Sequence, residues 1–127
     1  MSANVVDSSG WLEYFSEGAG GRRFAAPIAD VPNLIVPTIS IYEVYRRVAQ
    51  LAGDDSAAQA AQIMSRGQLV DLDVDLAIAA AMLAADHRLP LADSVILATA
   101  RRHGATLWTQ DADFEGLDNV RYVAKLV

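Results

Sequence analysis

The chain has 127 residues, of which 53% are hydrophobic and 20% charged, and its formal net charge is −6. This composition excludes a disordered chain and predicts one globular domain spanning residues 1–127. The chain has no cysteine and two histidines, which excludes disulfides, thiolate metal sites and an imidazole-rich zinc site, so a bound metal must be held by oxygen. No basic leader and no membrane-length apolar run is visible, so we expect a soluble, cytoplasmic protein with no membrane partner.

Short apolar runs alternate with helical patterns along the chain. Strands are predicted at residues 4–6, 34–36, 68–73 and 106–108, with a fifth within 119–125. Helices are predicted from residue 8 or 9 onward and at 22–30, 38–52, 54–65, 74–86 and 93–103. Apolar strands separated by helices are typical of an α/β fold whose parallel sheet is covered on both faces.

Four acids fall where these predicted elements end or begin. Asp7 follows the first strand and Asp111 the fourth, whereas Glu43 lies in the first turns of one helix and Asp93 opens another. In a parallel sheet, strand ends and the starts of the following helices lie at one edge, where ligands bind. The acids there predict a pocket of hard oxygen ligands suited to Mg²⁺ or Mn²⁺, and therefore a metal-dependent hydrolase of phosphate esters.

Each acid also has a purely structural explanation at its own position. Asp7 and Asp93 suit a helix cap or a first helical turn. Glu43 is spaced for an ion pair with Arg46 or Arg47 on its own helix, and Asp111 suits the cap of a short turn. For any single acid, the structural explanation is at least as good as a role in a metal site. The metal pocket is favoured because all the acids map to one edge of one predicted sheet.

The acids lie within four short segments. The segments are residues 5–12 (VVDSSGWL), 40–44 (SIYEV), 89–98 (LPLADSVILA) and 107–114 (LWTQDADF). Together and in this order, they resemble the motifs of PIN-domain ribonucleases, and in particular the VapC-like toxins of bacterial type II toxin–antitoxin pairs. The four segments span nearly the whole chain, which makes the resemblance much more specific than any one of them alone.

The resemblance implies a three-layer α/β/α sandwich with a parallel central sheet of about five strands. It also implies an Mg²⁺-dependent endoribonuclease, with Mn²⁺ as the alternative ion, that acts as a toxin and cuts tRNA or rRNA. The implied catalytic and metal-binding residues are Asp7, Glu43, Asp93 and Asp111. The implied supporting residues are Ser8, Thr109 and Asp113.

The expected partners follow from the same resemblance. They are RNA, a second copy of the chain in a homodimer, and an antitoxin that covers the active site. Candidate contacts to the RNA backbone are the arginine pairs Arg46-Arg47 and Arg101-Arg102, for which a solvated helix face is the alternative. An apolar groove for an antitoxin helix is expected at Trp11, Tyr14 and Phe15 or at Tyr42 and Tyr45, unless these side chains belong to the core.

Two other functions compete with cleavage of RNA. The first is a regulatory module that binds RNA without cutting it, against which the intact acids argue. The second is a phosphoryl-transfer or phosphatase domain. A haloacid dehalogenase-like phosphatase needs Asp-x-Asp after the first strand, where this chain has Asp7-Ser8-Ser9, and the sole lysine, Lys125, lies close to the C-terminus.

Overall fold

The structure is a computed structural model, and it describes residues 2–126. Its strands are β1 (Asn4–Val6), β2 (Leu34–Pro37), β3 (Gln68–Val70), β4 (Thr106–Thr109) and β5 (Val120–Tyr122). Its α-helices are α1 (Ser8–Phe15), α2 (Ala25–Ala29), α3 (Thr38–Ala52), α4 (Asp54–Met64), α5 (Val74–His87) and α6 (Leu91–Arg102). Short 3-10 turns lie at Ala19–Phe24, Val31–Asn33 and Ala112–Phe114.

The five strands form one parallel sheet in the order β3-β2-β1-β4-β5. On the central strand β1, Val5 lies opposite Ile35 of β2 and Leu107 of β4. The order of the strands reverses between β1 and β4, and such a switch point opens a crevice at the carboxyl ends of the strands. Asp7 and Asp111 follow these two strands, so the switch point brings them to the same crevice.

The side chains of the strands alternate between two apolar layers. Val6 and Val36 point to one face, where they pack against buried residues of helices α1 to α4 and of the 3-10 turn that precedes α2. These residues are Trp11, Phe24, Ile28, Val44, Ala60 and Met64. Val5 and Leu107 point to the other face, where they pack against Leu89, Ile96, Leu97 and Ala100 at and within α6. Helix α5 joins this layer through Leu76 and Ala80. The predicted three-layer α/β/α sandwich with about five parallel strands is therefore confirmed.

Two predicted boundaries are wrong for identifiable reasons. Helix α6 begins at Leu91 rather than at residue 93, because Pro90 occupies the N-cap position, where its missing N–H costs nothing. Strand β3 ends at Val70 rather than at residue 73, because the Asp73 carboxylate accepts the N–H of Leu76 and caps α5. Residues 71–73 therefore connect the strand to the helix.

The predicted helix at residues 22–30 is divided in the structure. A 3-10 turn (Ala19–Phe24) precedes α2, which occupies only Ala25–Ala29. The turn packs tightly against α1, since a Cβ on Gly21 would lie 2.6 Å from the carbonyl oxygen of Glu13. Over residues 2–126, no helix combines the length and the apolar character that crossing a membrane requires.

Candidate active site

Asp7 lies at the carboxyl end of β1 and caps α1. Its carboxylate accepts the N–H of Gly10 at 2.8 Å and the hydroxyls of Ser9 and Thr109, at 2.8 Å and 2.6 Å. The residue is only 2% exposed, and burial raises its pKa to about 6, although these hydrogen bonds act in the opposite direction. The capping role and a role in the site are therefore not alternatives, because the cap fixes the carboxylate at the crevice.

Thr109 connects the two central strands at this edge. Its buried hydroxyl donates to Oδ2 of Asp7 and accepts the N–H of Asp111 at 2.9 Å. The N–H of Asp7 donates to the carbonyl of Trp108 at 3.1 Å, which extends the pairing of β1 with β4 by one residue. Thr109 thus sets the relative positions of two acids that lie far apart in the sequence.

Glu43 reaches the same crevice from the second turn of α3. Its Oε1 accepts a short hydrogen bond from the hydroxyl of Ser8, the first residue of α1. No ion pair joins Glu43 to Arg46 or Arg47, since the one salt bridge within residues 2–126 joins Arg102 to Asp73. The structural alternative for Glu43, an ion pair along its own helix, is therefore wrong.

Asp93, Asp111 and Asp113 form the most compact part of the site. One carboxylate oxygen from each residue lies within 4.8 Å of the others. Burial, which is the largest cause, and the charges of Asp111, Asp7, Glu43 and Asp113, in decreasing order, together raise the pKa of Asp93 to about 7. One electrostatically coupled group of five acids thus surrounds the crevice.

The donor set fits a hard divalent cation. The site offers carboxylate and hydroxyl oxygens, and none of the five acids has an ion-pair partner within the described part of the chain. Repulsion among the carboxylates makes the pocket unfavourable unless a proton or a cation is bound. Mg²⁺ and Mn²⁺ match such a set of oxygen ligands.

Two features of the site were not evident from the residue pattern. Asp113, expected only to support the site, belongs to the compact group with Asp93 and Asp111, and Asp111 positions it by accepting its N–H at 2.9 Å at the start of the 3-10 turn. Ser9, to which the residue pattern assigned no role in the site, donates its hydroxyl to both oxygens of Asp7. The spacing Asp-x-Asp after a strand was the available signal for Asp113.

The two arginine pairs occupy different surroundings. Arg46 and Arg47 are exposed, follow Glu43 by about one helical turn, and have no ion pair within residues 2–126. Arg101 and Arg102 end α6, and they bind Asn119 and Asp73, at 3.0 Å and 2.8 Å. At a rise of about 1.5 Å per residue, these two lie roughly 12–14 Å along the helix from Asp93.

An apolar groove lies between α1, α3 and α4. A depression of about 510 Å³ is lined by Leu12, Phe15, Val48, Leu51 and Ile63, among others. A second depression of about 350 Å³ is lined by Tyr14 and shares Phe15 and Ile63 with the first. Trp11 does not line the groove, because it is fully buried and stacks on Phe15 with ring centroids 5.6 Å apart. The expectation that Trp11 lines a groove is therefore wrong, and its core alternative is confirmed.

The chain belongs to the PIN-domain family, whose model matches residues 5–120. The resemblance carried by the four sequence segments is thereby confirmed. Among curated proteins, none matches the chain.

Solved structures of VapC toxins and of toxin–antitoxin complexes share the fold. A toxin–antitoxin complex from Klebsiella pneumoniae is 24% identical with a TM-score of 0.78, over 94% of this chain and 96% of that chain. VapC20 from Mycobacterium tuberculosis, described as a sarcin–ricin loop cleaving toxin, is 19% identical with a TM-score of 0.77, over 91% and 95%. DNA-bound VapBC from Salmonella typhimurium is 19% identical with a TM-score of 0.74, over 98% of both chains.

Proposed function

We propose that this chain is a metal-dependent endoribonuclease and the toxin of a toxin–antitoxin pair. The observation that carries the proposal is the group of five acids without counter-ions at the switch point of a parallel sheet. Membership of the PIN-domain family supports a nuclease. Similarity to a toxin that cleaves the sarcin–ricin loop supports RNA as the substrate, with rRNA or tRNA as the class.

The five acids have different proposed roles, which follow from their positions in the site. Asp93, Asp111 and Asp113 are the proposed core of an Mg²⁺ site, with Mn²⁺ as the alternative, and Asp7 and Glu43 complete it. A divalent cation bound there lowers the pKa of water and stabilises negative charge on a phosphate. Asp7 is held by three donors, so it contributes a fixed charge rather than a mobile one.

Glu43 is the proposed general base. Ser8 holds one of its oxygens, which leaves the other to accept a proton from the attacking water. In the hydrolysis, the water oxygen bonds to phosphorus as the bond from phosphorus to the leaving ribose oxygen breaks. Arg46 and Arg47, which are exposed and unpaired within residues 2–126, are proposed to bind the RNA backbone beside this step. Arg101 and Arg102 are the weaker candidates, because both already have partners.

The competing functions have less support. In place of the second acid of a phosphatase, Ser9 binds Asp7, and the sole lysine lies at residue 125. A module that only binds RNA gains nothing from five clustered acids in a chain of net charge −6, since acids repel phosphates.

The groove between α1, α3 and α4 is the proposed docking site for the antitoxin. Leu12 and Val48 lie on its walls, and Leu51 is 68% exposed at its edge. An amphipathic helix fits such a groove with its apolar face inward. We propose that the same partner extends over the acid group and covers the active site. Similarity to solved toxin–antitoxin complexes supports this partner.

Helix α5 is the proposed surface for a homodimer. Val74, Ile78 and Met82 follow each other at four-residue spacing and are 74%, 56% and 64% exposed. No charged residue lies between Asp75 and Asp86, and a continuous apolar patch of this kind favours association. We further propose that the chain is a single nuclease domain, and that it acts in the cytoplasm, where its proposed RNA substrate is found.

The decisive test compares cleavage by the native chain with cleavage by two variants of matched charge. Asp93→Asn removes an acid of the site, and Asp55→Asn removes an exposed acid on α4. After expression of each protein, sequencing of cellular RNA 5′ ends is expected to reveal new ends for the native chain and Asp55→Asn only. Cleavage by the purified proteins should require Mg²⁺ or Mn²⁺ and stop with EDTA. Full cleavage by Asp93→Asn, or cleavage in excess EDTA, would contradict the proposed metal-dependent nuclease.

A further inference from the structure

Tyr42 is a large aromatic side chain on the surface, directly next to the candidate base Glu43. It is 64% exposed and belongs to none of the apolar clusters that form the core. Within residues 2–126, its ring makes no aromatic or cation–π contact and its hydroxyl makes no hydrogen bond. The ring is therefore free to receive a ligand.

Two depressions lie on either side of Tyr42. One, of about 200 Å³, is lined by Tyr42, Glu43, Arg46, Arg47 and Gln50. The other, of about 680 Å³, is lined mainly by apolar surface, including Tyr45 and Ala49. Tyr42, Arg46 and Gln50 line both depressions, so they form the ridge between them. The smaller depression includes Glu43, which places this ridge at the margin of the acid group.

The ridge combines an apolar ring with unpaired positive charge. Arg46 and Arg47 are exposed and have no ion pair within residues 2–126, although the whole chain carries a net charge of −6. Arg46 lies one helical turn beyond Tyr42, about 6 Å along the axis. An aromatic face beside an arginine is the combination that binds a base and a phosphate of a single-stranded nucleic acid.

We propose that Tyr42 stacks on an unpaired base next to the scissile phosphate, and that Arg46 holds a neighbouring phosphate of the same strand. The proposal rests on the nuclease function and specifies its substrate as a single-stranded segment of RNA. A base within a duplex has both faces stacked on its neighbours, so it cannot lie on Tyr42. The proposed antitoxin groove is lined by Val48 and Leu51 and shares Arg47 with the smaller depression beside Tyr42. Charge complementarity favours RNA at Tyr42.

The test measures binding of RNA in the full-length Asp93→Asn background, which is expected not to cut. The probe is a short single-stranded RNA that contains 2-aminopurine, whose fluorescence falls on stacking. Tyr42→Leu is expected to weaken binding by about tenfold and to abolish the quenching, because a stacked base contributes strongly to affinity. Tyr42→Phe should keep both signals, and Tyr45→Leu should keep binding within about twofold. A duplex of the same sequence is expected to bind equally to all variants.

The outcomes separate this proposal from the nuclease function. If Tyr42→Leu binds and quenches like its parent while the native chain cleaves RNA, the stacking proposal is overturned and the nuclease function stands. If the native chain neither binds nor cleaves RNA, both fail. If Tyr42→Leu leaves RNA binding unchanged and instead abolishes binding of the proposed antitoxin, the ridge is a protein contact and the stacking proposal is overturned. Quenching by a chain with native Tyr42 reports stacking directly, even if a variant folds poorly.

Discussion

The hydroxyl of Thr109 lies 2.6 Å from the carboxylate of Asp7 and joins residues that are 102 positions apart in the sequence. The same hydroxyl accepts the N–H of Asp111. One buried side chain therefore sets the distance between two acids of the proposed metal site.

Replacement of Thr109 by valine is expected to lower both stability and activity. Valine has nearly the same shape, but it leaves the N–H of Asp111 without its acceptor and removes a hydrogen bond that lowers the pKa of Asp7. The free energy of unfolding should fall by about 1–3 kcal/mol, and the pKa of Asp7 should rise above about 6. Urea unfolding and initial cleavage rates measure the two effects. Thr109→Ser, which keeps the hydroxyl, is the control, and a valine variant with native stability would contradict the role assigned here.

The metal-free protein is expected to become less stable as pH rises. Folding raises the pKa of Asp7 from 3.8 to about 6 and that of Asp93 from 3.8 to about 7, so the folded state holds protons that the unfolded chain releases. Stability is therefore complete below pH 3.8 as far as these groups are concerned, and it is lost as pH rises towards 7. Asp7 accounts for about 3 kcal/mol of this loss, at about 1.4 kcal/mol for each pKa unit.

Urea unfolding in EDTA at several pH values measures this dependence. Asp7→Asn should remove the part of the decline that Asp7 contributes, since asparagine does not ionise, and should leave a part due to Asp93. A stability profile that rises between pH 4 and 7 in the native chain, and is unchanged in Asp7→Asn, would contradict the raised pKa values.

Divalent cations are expected to reverse the destabilisation at neutral pH. A cation that binds only the folded state stabilises it by about 2.7 kcal/mol at a hundredfold excess over its Kd. The thermal midpoint of the native chain should therefore rise with Mg²⁺ or Mn²⁺, and the gain should shrink at lower pH as protons compete for the carboxylates. Asp111→Asn should lose the gain and Asp55→Asn should keep it. An equal rise of the thermal midpoint in all three proteins would show that the cation binds outside the proposed site.

A charged substitution on α5 and one in the groove between α1, α3 and α4 are expected to affect different properties, namely dimerisation and antitoxin binding. Ile78→Glu on α5 should convert a dimer into a monomer, because the substituted carboxylate would be buried at the interface. Leu51→Glu at the groove edge should abolish antitoxin binding and leave the oligomeric state unchanged. Sedimentation and co-purification with the adjacent small protein measure the two outcomes. If Ile78→Glu leaves the oligomeric state unaltered, α5 is not the dimer surface.

Much of the architecture followed from local patterns. Apolar runs such as 34–36 marked buried strands, and their alternation with helices specified a parallel sheet. That sheet then predicted Asp7, Glu43, Asp93 and Asp111 at one edge without further information, since strand ends and helix starts converge there. The structure places all of them in one electrostatic group.

The remaining features depend on tertiary contacts that no local pattern encodes. Asp73 was predicted to end the third strand, yet it caps α5 and pairs with Arg102, which lies 29 residues further along the chain. Helix α5 is apolar enough to be mistaken for a core helix, yet Ile78 and Met82 are mostly exposed, because the helix lies at the outside of its layer. The position of Asp113 depends on the tight 3-10 turn that follows β4.

The strand order also determines when this pocket comes into existence during synthesis. Strand β1 is made before the other described strands, but one of its two neighbours, β4, is made only after β2 and β3. Asp7, Glu43 and Asp93 precede β4, and none of them meets Asp111 until that strand pairs with β1. A chain that ends before β4 thus carries Asp7, Glu43 and Asp93 and lacks the complete pocket, so the proposed activity cannot appear until β4 has been made and has paired with β1.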